Sequence, residues 1–294
     1  ITYTNMCYVH SSGVGIAYNN GGNNINNWSK NGWGVFDNTI VINTAEDWEQ
    51  FRLAVQDARG QSEVNAIMNA NITVTTSVGD DDYPYCGTFN GNGYTLNSNI
   101  DGGTTSIMAP FRKVGKSTFK NLRVGGVVKG GIHSAGLIGG TNSSPVRIEN
   151  LFVDASVTTS DRYVGGVIGH AGSSDLYIED CVSYVTLTAN GADAYGGAIV
   201  GWAGSGNTWE MHRVYEHASF SNIAHQGFSY WNNNATPWGY NDRSTSCVSS
   251  HVWNEVKSEY RNKNTTEAAG IFNNEQPGSW TTSDPVEPVL AEAP

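Results

Sequence analysis

What this chain lacks narrows its possibilities. Only 15% of its 294 residues are charged, and 16 Lys and Arg face 27 Asp and Glu for a formal net charge of −11. With no basic patch to neutralise phosphates, nucleic acid and anionic membrane surfaces are disfavoured as partners. No apolar run is long enough to cross a bilayer, so direct membrane insertion is not expected. The four cysteines, Cys7, Cys86, Cys181 and Cys247, show no CxxC spacing, which removes the commonest zinc sites. Helical periodicity is confined to one stretch. No Ser-His-Asp, Cys-His or phosphate-loop arrangement is present. Gly91-Asn92-Gly93 precedes neither a helical pattern nor a Lys-Ser/Thr pair.

What is present is glycine, at 35 residues, with abundant Asn, Ser and Thr around short β-branched apolar runs. That composition suits an extracellular or cell-surface β-rich protein with polar turns. The opening at Ile1 reads as trimmed or processed, and Pro285–Pro294, rich in proline and acidic residues, reads as a linker.

The apolar runs repeat. One column holds Phe119, Ile148, Ile178 and Met211; a second holds Leu122, Leu151, Cys181, Val214 and Cys247. A third holds Val128, Val157, Leu187, Phe220 and Trp253, and a glycine column follows at Gly136, Gly166, Gly197 and Gly227. The second column advances by 29, 30, 33 and 33 residues. A period in this range means one supersecondary unit stacked many times. Short strands between turns, with no helical period, make that unit a coil of β-strands. The expected fold is all-β: a right-handed parallel β-helix, or β-solenoid. A β-sandwich would not hold four columns at fixed offsets. Cys181 and Cys247, two coils apart in one column, lie about 9–10 Å from each other by the strand spacing, beyond disulfide reach. Spacing does not decide between a Cys7–Cys86 disulfide and two unpaired thiols.

The one helical stretch is Thr44–Gly60. Thr44 offers an N-cap, Asp47 stands three residues on, and Trp48, Phe51, Val55 and Ala58 share a face. The expected organisation is an irregular segment over 1–43, a capping helix over 44–60, a solenoid with an irregular C-terminal cap over 61–284, and a tail over 285–294. The helix should cover the open end of the coil, whose strand edges would otherwise be bare.

Particular residues carry a family resemblance. Phe89-x-Gly91-x-Gly93-Tyr94-Thr95-Leu96, then Ala109-Pro110-Phe111, then Asn121-Leu122-x-Val124 and Gly136-Leu137-Ile138-Gly139 with later variants, resemble the bacterial GLUG-motif proteins. So does the tail from Gly278-Ser279-Trp280 to Leu290. The resemblance spans about residues 45–290 and implies a secreted or surface-displayed β-solenoid, usually part of a larger chain. It implies no catalytic set, because the family's motif residues are packing residues.

Candidate sites are few. Glu149 and Glu179 occupy equivalent positions in successive coils, as do Asn150 and Asp180, so Glu149, Glu179 and Asp180 are the candidates for an acid/base pair. Asp80-Asp81-Asp82 is the one acidic run and a candidate Ca²⁺ loop, though it lacks the spaced pattern of a dedicated calcium site. The seven histidines look scattered; His212 and His217 fall on neighbouring strands at best. Thr186-x-Thr188 faces Ser156 and Thr158 one coil earlier but Val127 and Lys129 before that, so no regular threonine array forms.

Aromatics crowd residues 201–260, and the irregular insertion at 229–243 places Trp231, Trp238 and Tyr240 among Asn233, Asp242 and further amides. Flat rings beside polar groups suit sugars, since rings stack on apolar C–H faces while amides and carboxylates take the hydroxyls. The same rings would also serve as a lid. The favoured expectation is a binding or display module for glycans or host-surface components. A polysaccharide-degrading enzyme and a self-associating structural fibre stand as alternatives.

Overall fold

The repeat closes into a coil through its corners. In the strand Val146–Thr159, Val146 and Ile148 are buried, as are Leu151, Val153, Ala155 and Val157, while Arg147, Asp154 and Ser156 are exposed. Strict alternation would carry the inward phase from Ile148 to Asn150. Instead Asn150 adopts a left-handed conformation at φ 58°, turns the chain and shifts the phase by one, so Leu151 points inward. Asn121 (φ 51°) and Asp180 (φ 54°) do the same in the coils on either side. Asn and Asp are the non-glycine residues that tolerate this region best. The corners are also stitched together: Asn150 Nδ2 donates to Asn121 Oδ1 at 2.8 Å, and Asn121 Nδ2 to Asn90 Oδ1 at 3.3 Å.

The computed structural model describes residues 39–229, apart from positions 61, 144, 173, 204–208 and 217, together with the strand Thr245–Ser249. These residues form a right-handed parallel β-helix of about six turns with a single helix. Each full coil has three faces. The first is built from Tyr85–Asn90 and residues 117–120, 146–149, 176–179 and 209–212. The second contains Thr95–Asp101, residues 122–130 and 151–159, residues 181–183 with Thr186–Ala189, and residues 214–216 with Ser219–Ser221. The third runs from residues 111–114 through Ile138–Thr141 and Ile168–Ala171 to Tyr195–Ala203.

The expected columns hold in register. Leu122 pairs with Leu151, Leu151 with Cys181, Cys181 with Val214, and Val214 with Cys247. The first four side chains are at most 1% exposed. The third column holds from Val128 to Phe220, which is half-buried; Trp253 lies outside the described residues. The glycine column needs correction. Gly227 pairs with Gly197, but Gly197 pairs with Gly165 and Gly165 with Ala135, so Gly136 and Gly166 stand one residue out. The corner before Tyr195 is two residues longer than the one before Tyr163, and that insertion misaligned the Gly-Gly pairs.

Helix α1 spans Ala45–Ala58, and Thr44 and Asp47 form the expected capping box. One boundary differs from expectation. Ile40–Ile42 is a strand that pairs in parallel with Ala66–Met68, so the solenoid begins before α1 and the helix is the crossover within its first coil. Trp48 and Phe51 drop from α1 into a nest with Tyr85, Phe89, Phe111 and Phe119, all essentially inaccessible to solvent. Their ring centroids stand 4.7–6.4 Å apart in mostly tilted or edge-to-face pairs, the favoured aromatic geometry. Trp48 Nε1 donates to the Thr76 carbonyl at 3.2 Å, so the indole is satisfied at the rim of the nest. Further along the axis the core turns aliphatic, through Leu137, Ile148, Ile168, Ile178 and Leu187.

Candidate functional site

The third face folds on itself, and glycines allow it. Between Tyr163–Gly165 and Ile168–Ala171 the chain kinks so that Val167 and Ile168 are both buried. A Cβ on Gly169 would stand 2.0 Å from the His133 carbonyl oxygen, and one on Gly166 would stand 1.9 Å from that of Ala198. Only hydrogen fits there. The Gly-Leu-Ile-Gly signature is therefore a device for laying one coil's backbone against the next.

This kink brings two outward columns together. In the first, Tyr163 pairs with Tyr195 and Tyr195 with His225, while the His133 amide donates to the Tyr163 carbonyl at 2.8 Å and extends the column by one coil. Their rings stack in succession: His133 on Tyr163 at 5.1 Å and 5°, Tyr163 on Tyr195 at 5.4 Å and 30°, Tyr195 on His225 at 4.3 Å and 19°. In the second column Lys113, Gly140, His170 and Trp202 share one register position. His170 and Trp202 lie 4.6 Å apart. Across the seam His133 is 4.7 Å from His170 and 5.7 Å from Trp202, and Tyr163 is 6.3 Å from Trp202. Tyr163 is buried, whereas His133, His170, Tyr195, Trp202 and His225 are half-buried. Six rings from four coils thus form one seam, in which all but Tyr163 are partly exposed.

Electrostatics keep the middle of the seam neutral. Burial, reinforced by His170 and by the cations Lys113 and Arg162, pushes His133 down to about 3. Burial and Lys113 push His170 down to about 4. Burial also raises the Tyr163 phenol above its ordinary value. Both imidazoles are therefore uncharged near neutral pH. Charge sits at the rim in pairs: Lys113 Nζ lies 2.9 Å from Asp81 Oδ1, Arg162 Nε 3.7 Å from Asp161 Oδ1, and His225 Nε2 2.8 Å from Asp193 Oδ1. The Arg162 guanidinium also lies over the Tyr163 ring, 5.4 Å from its centroid. Among the described residues no three His, Cys, Asp or Glu side chains converge as metal ligands.

The residues expected from sequence fall elsewhere. Glu149 and Glu179 pair in register on the outside of the first face, beyond Lys120 in the same row. Asp180 is 5% exposed and belongs to the corner ladder, where its left-handed backbone accounts for it. Asp80 accepts the backbone amides of Asp82 and Tyr83 at 3.0 and 2.8 Å and closes a turn, and Asp81 pairs with Lys113. Cys86 is a free thiol, the buried Cys181 thiol donates to the Glu179 carbonyl at 3.1 Å, and Cys7 lies outside the described residues. Trp231, Asn233, Trp238, Tyr240 and Asp242 also lie outside them. The seam itself was missed. Its signal was the spacing of His133, Tyr163, Tyr195 and His225 at 30, 32 and 30 residues, the period of the repeat.

Among known protein families, curated proteins and solved structures, nothing matches this chain.

Proposed function

We propose that this protein is a binding or display module of an extracellular or cell-surface setting, and that it holds carbohydrate against the ring seam of its third face. The observation that carries the reading is the convergence of two outward ring columns, His133–Tyr163–Tyr195–His225 and His170–Trp202, on a rigid solenoid. Ring edges and exposed ring surface offer apolar contact, while phenol, imidazole and the flanking Asp161 and Asp193 offer hydrogen-bond partners for hydroxyls. The resemblance to surface-displayed GLUG-motif proteins points the same way. The test is a glycan array with wild type, Tyr195→Ala and Trp202→Ala, beside a reducing-sugar release assay. Each substitution is expected to weaken binding by about 1–3 kcal/mol, the usual scale for interface anchors. Binding that survives both seam substitutions but is lost in Trp231→Ala or Trp238→Ala would move the ligand to the 229–243 insertion. Sugar release abolished by Glu149→Gln or Glu179→Gln would make the protein an enzyme.

A further inference from the structure

Resting on that carbohydrate reading, we infer that the seam takes an uncharged, linear polysaccharide laid along the solenoid axis. Two independent features carry this, one of geometry and one of charge.

The geometry concerns direction. Tyr163, Tyr195 and His225 hold one register position in three successive coils. The column therefore steps at the coil rise of about 4.8 Å, along the axis and not along any strand. The observed ring spacings of 5.4 and 4.3 Å follow that rise. Tyr163 is 7% exposed, so contact falls on its half-buried column neighbours His133, Tyr195 and His225, and a ligand that meets all three must extend in one direction along the axis. An extended sugar chain does so, because its residues follow one another at a short, constant advance. A single sugar or a branched cluster meets only one or two of the rings.

The charge argument concerns class. An acidic glycan needs a cation free to receive a carboxylate or sulfate. The two cations whose field reaches His133 are Lys113 and Arg162. Lys113 is 8% exposed and already holds Asp81 at 2.9 Å and the Asn142 amide oxygen at 3.3 Å. Arg162 has Asp161 beside it and the Tyr163 ring beneath it. The imidazole of His225 holds Asp193. His133 and His170 stay uncharged under ordinary conditions. Meanwhile the side chains of Asp161 and Asp193 are 52% and 71% exposed at the rim, on a chain of net charge −11. A polyanion approaches an adverse field and must displace Asp161 from the 53% exposed Arg162, whereas neutral hydroxyls can add hydrogen bonds to either pair without breaking it.

Affinity electrophoresis of the whole protein separates the outcomes. The neutral probes are hydroxyethylcellulose, mixed-linkage β-glucan and glucomannan; the acidic ones are polygalacturonate and alginate, each at low and high salt. The expected result is retardation by at least one neutral polymer, unchanged by salt and lost in Tyr195→Ala. Tyr195→Phe, which keeps the ring, should retain most of it and guards against a folding defect. Titration with oligosaccharides of the retained polymer should show a hexasaccharide binding about tenfold or more tighter than a disaccharide. Retardation by the polyuronates alone, relieved by salt, would overturn this inference and leave the carbohydrate reading standing. Equal affinity for disaccharide and hexasaccharide would overturn the axial placement. No retardation by any polymer would overturn both.

Discussion

His133 shows how one side chain can report on the whole seam. Its imidazole is held neutral by burial, by His170 at 4.7 Å and by the cations Lys113 and Arg162, with a pKa of about 3 against an ordinary 6.5. The unfolded chain takes up that proton near pH 6.5, so between there and about 3 the unfolded state binds more protons than the folded one. Stability contributed by the neutral ring is therefore complete above pH 6.5 and is lost as pH falls toward 3. His170, pushed to about 4, adds a penalty of the same sign. His133→Phe keeps a flat ring against Tyr163 and removes the titration. The wild type should lose melting temperature faster than this variant as pH drops from 7 to 4. Two parallel curves would mean that His133 pays no such penalty and that its neutral state has been misjudged.

At the scale of the element, the third face depends on a backbone approach that no side chain can replace. Gly169 sits against the His133 carbonyl, with 2.0 Å left for any Cβ. The obstacle is backbone and not a pliable side-chain tip, so Gly169→Ala must push two coils apart. Overpacking of this kind costs about 1–3 kcal/mol, and more where the neighbour cannot move. Because the same contact brings His170 to His133, the substitution should change the emission of Trp202 in the folded protein as well as lower the melting temperature. An alanine variant with unchanged stability and an unchanged spectrum would show that the kink has slack.

For the molecule as a whole, what could be read from sequence depended on whether chemistry and register repeat together. Leu122, Leu151, Cys181 and Val214 announce their column because every coil needs an apolar group of moderate size at that point. Helix α1 announced itself through Thr44, Asp47 and the face of Trp48, Phe51 and Val55, signals that need no partner. Ile40–Ile42 did not, since three apolar residues acquire meaning only when Ala66–Met68 lies alongside. The ring seam was hidden for a related reason. Its first column runs His, Tyr, Tyr, His and its second runs Lys, Gly, His, Trp, so the register repeats while residue type does not. The cross-seam contacts also require the glycine kink, whose depth depends on corner lengths that differ by two residues between coils.

The aromatic nest gives this otherwise uniform stack an arrow in time. A solenoid whose coils touch only their neighbours can begin folding anywhere along its length and spread in either direction. Here the six largest fully buried side chains among the described residues, from Trp48 to Phe119, gather in the first coils beneath α1, and the fully buried side chains of the later described coils are smaller. The earliest stable fragment is then the N-terminal one, with the aromatic nest packed beneath α1 and an edge on which each new coil is templated. Substitutions should divide accordingly. Phe89→Leu or Phe119→Leu should mainly slow refolding, whereas Leu187→Ala, at the far side of the stack, should mainly speed unfolding. If Leu187→Ala slows refolding as much as the nest substitutions do, assembly has no preferred origin. If the arrow holds, a chain delivered N-terminus first can wind itself up coil by coil as it emerges, with its growing edge always the newest.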